Sequence, residues 1–183
     1  MKSRKIYFIT IVSILSTLST IIFLIGGFPI FLAFPYLKID LSDIPALIGG
    51  IVVSPGAGLL IELIKNSFHI LKTHTMGIGE LLSLIVGSTI VISFCFPFRW
   101  SIKKNNFKIS ILISYLTCLF FTLIVALISN NIIYPLFLSS GLLVTATENI
   151  INLYLISVLI INFIKVTIVV LISILIIKVL KII

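Results

Sequence analysis

Asn162 and Lys165 stand three residues apart in the run from Leu155 to Ile177, which holds no other charge. On a helix that spacing puts both side chains on one face. An ionisable group inside a span is a functional-site candidate by default, and the ammonium needs an acceptor from elsewhere in the chain because no acid lies nearby. The bland reading is that Lys165 snorkels to the interface. A second set sits in the run from Ala57 to Leu71: Glu62 and Lys65, again three apart, with Asn66 next and His69 one turn on. A charge at mid-span costs at least about 2.5 kcal/mol unless paired or hydrated. Two readings stand: an internal Glu62–Lys65 ion pair that fixes helix packing, or a ligand-facing Lys65 or Asn66. The third set, Lys38, Asp40 and Asp43, lies between two apolar runs.

None of these sets is a catalytic motif. The chain has no G-x-x-x-x-G-K-[ST] phosphate loop, no H-E-x-x-H helix and no G-x-S-x-G elbow. It therefore cannot hydrolyse ATP by a phosphate loop, and active transport would take its energy from a partner. Cys95 and Cys118 lie in apolar runs without C-x-x-C spacing, as small buried hydrophobes do.

The elements that must position these residues are membrane helices. Of the 183 residues 60% are hydrophobic and 10% charged, and mean hydropathy is +1.37, far from the composition of a soluble domain. The formal charge of +8 falls at the ends of apolar runs: Lys2, Arg4 and Lys5 before the first, Arg99 to Lys108 in one loop, Lys178 and Lys181 at the end. The positive-inside rule places such segments in the cytoplasm, and no basic patch with interleaved aromatics is left for nucleic acid.

Read in order, Ile6–Ala33 goes outward as a retained first helix, since no small-x-small cleavage site follows it. Ile44–Val53 returns from a cap at Ser42-Asp43, and the chain turns at Ser54-Pro55-Gly56. Ala57–Leu71 goes out, Gly79–Phe98 returns, Ile109–Ile128 goes out, Asn130–Tyr154 forms an outer connection, and Leu155–Ile177 comes back. The expectation is an all-α membrane protein of six transmembrane helices with both termini cytoplasmic, in one domain over residues 1–183.

The string FPYLKIDLSDIP, followed by a short apolar run, SPGAG and LIKN, resembles the S component of energy-coupling factor (ECF) vitamin transporters, specifically the riboflavin-binding kind. Asn162-Phe163-Ile164-Lys165 is similar to the family's Asn-x-x-Lys in the sixth helix, whose side chains hydrogen-bond the flavin ring. Gly79-Glu80 resembles the family's Gly-Glu opening the fourth helix. Asn130 and Asn131, before Tyr134-Pro135-Leu136, resemble an Asn at the outer end of the fifth. The chemistry suits a flavin, because a carboxamide matches both the carbonyls and the N–H of its uracil-like edge and a Lys meets a carbonyl. The resemblance implies a pocket near the outer face, built from Leu37, Lys38, Asp40, Asp43, Lys65, Asn66, Glu80, Asn130, Asn131, Asn162 and Lys165. It also implies no cofactor, with riboflavin as the transported ligand, and a partner module of one transmembrane coupling subunit and two ATPases in the bacterial plasma membrane.

Family members dock that coupling subunit with an Ala-x-x-x-Ala face on the first helix. Ser13, Ser16, Thr17 and Thr20 supply small residues at the same spacings here. Other readings are an S component for another vitamin or for the flavin nucleotide FMN, a membrane enzyme using Glu62, His69 or His74 as acid or base, and a helical assembly protein without a ligand. Replacing Lys165 should leave folding intact, since it removes a charge from a span.

Overall fold

The computed structural model describes residues 2–25, 27–29, 38–71, 77–139 and 148–180. The six expected helices are present: α1 (Lys2–Ile25), α2 (Asp43–Val52), α3 (Pro55–Ile70), α4 (Ile78–Ser101), α5 (Phe107–Ser139) and α6 (Glu148–Val179). Between α1 and α2 two short strands, β1 (Phe28–Pro29) and β2 (Lys38–Ile39), pair antiparallel, Phe28 opposite Ile39 and Pro29 opposite Lys38. The first apolar run is thus not one helix to Ala33, because the chain leaves the helix after Ile25 and enters β1. In the other direction, α5 runs on to Ser139 and α6 starts at Glu148, so Asn130, Asn131 and Tyr154 lie within helices instead of in a connection.

Helices α1, α4, α5 and α6 are long and apolar enough to cross a membrane. The ten residues of α2 reach only about 15 Å, and this short element sits in the middle of the bundle, packed on α1, α3, α4 and α6. Its residues Ala46 and Leu47 are fully buried. Helix α3 approaches it closely, since a Cβ on Gly58 would lie 2.7 Å from the Ala46 carbonyl oxygen. Large apolar side chains such as Ile14, Phe96, Phe120, Phe163 and Leu171 point outward, whereas Ser19, Ser114, Thr122 and Ser173 are fully buried. Polar groups inside and apolar groups outside are what a bilayer demands of a helical bundle.

Local chemistry explains the helix ends. Ser54 caps α3 by accepting the Ala57 N–H at 3.1 Å, with Pro55 in the first turn. Ser42 precedes α2 but does not cap it as the sequence suggested. Its backbone N–H (3.0 Å) and its hydroxyl both donate to Asp40 Oδ1, and Asp40 shapes that entry turn. Arg99, near the end of α4, reaches back to the last carbonyls of α2, donating to Gly50, Ile51 and Val53 at 3.3, 3.2 and 2.9 Å. Within α4, Pro97 has no N–H for the Ser93 carbonyl one turn earlier, and Thr117 Oγ1 from α5 donates there at 3.2 Å.

Candidate functional site

Three carboxylates and two ammoniums from four parts of the chain meet inside the bundle. Lys65 Nζ lies 2.6 Å from Glu62 Oε2 on its own helix and 2.6 Å from Asp43 Oδ1 at the start of α2. Lys165 Nζ, from α6, lies 2.8 Å from Asp43 Oδ2, close without hydrogen-bond alignment, and donates to Asp40 Oδ2 at 3.2 Å. Asp43 therefore gives one oxygen to each lysine. The acceptor that Lys165 needed comes from the segment entering α2, 125 and 122 positions earlier in the chain.

The pairing bears on both readings of Lys65. It is fully buried, held by a carboxylate on either side, and its ammonium stands 5.3 Å from the centroid of the Phe23 ring. Lys65 belongs to an internal ion-pair cluster with Glu62 and Asp43. The expectation that Lys165 could be removed without harm also changes, because its loss would strand acids that it now neutralises.

The buried face of α6 repeats every three to four residues: Tyr154, Val158, Asn162, Lys165 and Val169. Tyr154 donates its hydroxyl to Asn130 Oδ1 on α5 at 2.6 Å. Asn162 Nδ2 donates to the Val158 carbonyl at 2.8 Å, and its oxygen makes no hydrogen bond among the described residues. Lys165 has a third N–H beyond the two directions taken by Asp40 and Asp43. One helix face thus carries an acceptor and a donor, between an Asn of α5 and the acids before α2. Asn130 is buried and Asn131 exposed, so the first of the two belongs to this interior.

Asn66 adjoins the cluster through Glu62 Oε2 at 3.4 Å, and Glu80 pairs with His69. Glu80 Oε1 lies 2.7 Å from His69 Nδ1, and the His69 ring stacks at 4.0 Å on Phe23. Glu80 and Asn66 both line a cavity of about 420 Å³ between α3 and α4. Asn66 donates to the Glu62 carbonyl at 2.8 Å, and its own oxygen is buried and makes no hydrogen bond among the described residues. Lys38 lies in β2, opposite Pro29. Leu37 and His74 lie outside the described residues. On α1, Ser13 and Thr17 are exposed and Thr20 is half-buried, but Ser16 is 3% exposed and points inward, off any outward docking face.

Tyr154 was legible only as the residue two turns before Asn162. Nothing in the sequence marked Phe23 as a neighbour of Lys65, or Gly87 as the gap on α4 that receives the Glu62 carboxylate.

Residues 7–177 match the family model described as the substrate-specific component of ECF transporters. The riboflavin transporter FmnP of Bacillus subtilis is 32% identical over 117 residues, which are 62% of this chain and 59% of that protein. The riboflavin transporter RibU of Staphylococcus aureus is 30% identical over 94 residues, 50% of this chain and 47% of that protein. The matched segments thus span about half the length of these curated relatives. The solved structure of the S component of a bacterial ECF transporter superposes with a TM-score of 0.74 at 19% identity, covering 97% of this chain and 96% of that one, and shows the fold. This chain, whose described residues form six helices around a charged interior, four of them long and apolar enough to cross a membrane, belongs to the family of substrate-specific components of ECF transporters.

Proposed function

We propose that this protein captures riboflavin at the outer face of the bacterial membrane and delivers it inward when partner subunits hydrolyse ATP. The observation that carries the reading is the Asn162–Lys165 face of α6, buried, with Lys165 held by Asp40 and Asp43 and Asn162 by the Val158 carbonyl. It offers a carbonyl acceptor and an ammonium donor to the polar edge of the ring, with apolar side chains around them for its body. Asn130 lies on the neighbouring helix, paired to the same face of α6 through Tyr154. Two relatives named as riboflavin transporters support this choice of ligand.

The chain binds and does not catalyse. Its energy comes from an ECF module of one transmembrane coupling subunit and two ATPases, docked through the exposed part of α1 that carries Ser13 and Thr17. Both termini face the cytoplasm, on the side of the basic loop after Arg99.

Purified protein should copurify with flavin absorbance or bind added riboflavin in a calorimetric titration. Asn162→Ala should weaken that binding by roughly five- to a hundred-fold, the loss expected when a buried ligand atom is left unpaired. A colourless protein that binds no added riboflavin would overturn the proposal, and binding of FMN in its place would reassign the ligand.

A further inference from the structure

We infer that Lys65, on α3, is a positioning residue for the ligand-facing ammonium of Lys165 on α6, acting through the Asp43 carboxylate that the two lysines share. The inference rests on the flavin reading above and assigns Lys65 a part in binding that needs no contact with the ligand. Its ammonium is fully buried between Glu62 and Asp43 at 2.6 Å each, with the Phe23 ring on a third side.

Asp43 divides its charge between the two lysines. Oδ1 goes to Lys65 at 2.6 Å and Oδ2 to Lys165 at 2.8 Å. While Lys65 is present, Lys165 need neutralise only part of Asp43, and it stays balanced between Asp43 and Asp40, which lies 3.2 Å away. Without Lys65, the whole charge of a fully buried carboxylate would fall on Lys165, because attraction at this depth is weakly screened. The ammonium would then be drawn toward α2 and away from a solute carbonyl.

Glu62 keeps Lys65 in register. It sits one turn earlier on the same helix, its carboxylate lodged against α4 where Gly87 has no side chain; a Cβ at that position would meet the carboxylate. The result is a relay from α3 through α2 to α6. A residue that only packs the bundle would have no reason to act through Asp43, and this separates the two roles.

The test is riboflavin titration of charge-matched variants of the full chain in detergent. Glu62→Gln/Lys65→Met removes one charge of each sign and should weaken binding about tenfold, whereas in an Asp43→Asn background, which lacks the charge that Lys65 neutralises, the same pair of substitutions should change affinity by less than about threefold. A double variant that binds like the wild type, or a tenfold gap between Asp43→Asn and the triple variant, overturns the inference. If the double variant does not fold, the comparison of Asp43→Asn with the triple variant decides alone. Each keeps equal numbers of acids and lysines in the cluster, and their affinities should differ less than about threefold. Wild-type protein that binds no riboflavin would overturn the flavin reading and this inference with it, whereas wild-type binding with either failed comparison overturns the inference alone.

Discussion

Replacing Lys165 by Met, which keeps the length of the side chain and removes its charge, should destabilise the empty protein. Lys165 neutralises two acids at once, Asp40 at 3.2 Å and Asp43 at 2.8 Å, and the side chains involved are at most 8% exposed. Removing one partner of a buried pair typically costs about 3–5 kcal/mol, because the other charge stays desolvated and unpaired. The loss should fall near the lower end of that range. Asp43 keeps Lys65, and Asp40 keeps the backbone N–H and hydroxyl of Ser42. A loss of about 3 kcal/mol corresponds to a fall in Tm of about 6–12 °C for a chain of this size. The assay is thermal unfolding in detergent without flavin, so that ligand binding to the folded state does not mask the change. Lys165→Met/Asp40→Asn should recover part of the loss, since it removes one charge of each sign. A Lys165→Met protein that melts like the wild type would refute the pairing and return Lys165 to the interface.

Arg99→Met should lower the melting temperature and speed hydrogen exchange in α2, because the Gly50, Ile51 and Val53 carbonyls lose a charged donor worth about 1.5–3 kcal/mol. Unchanged exchange in α2 would show that Arg99 does not hold that helix end. Gly87→Ala should destabilise by about 1–3 kcal/mol, because its Cβ would fall on the buried Glu62 carboxylate, and the penalty should shrink in a Glu62→Ala background. Equal penalties in the two backgrounds, read by thermal unfolding, would mean that the overlap is not with Glu62.

Membrane residence, the number of helices and the face that Asn162 shares with Lys165 follow from local pattern and could be read from the sequence. Apolar runs of spanning length, basic residues at their ends and an Asn-x-x-Lys on one helical turn depend only on residues near one another in the chain. The ends of the helices were less legible. α5 and α6 run to Ser139 and from Glu148, well past the apolar runs, and the Tyr154–Asn130 hydrogen bond joins the two helices there. The sequence also left the partner of Lys165 open and kept two roles for Lys65.

Only the tertiary structure shows which groups the two lysines meet. The pairing of Lys165 with Asp40 and Asp43 joins residues more than a hundred positions apart, and a short α2 at the centre of the bundle brings Asp43 within reach of both lysines. Spacing along a chain reports which side chains share a helix face. Whether a buried charge meets an opposite charge, a ring or a gap left by a glycine depends on which helices pack together, and that lies in no single stretch of residues.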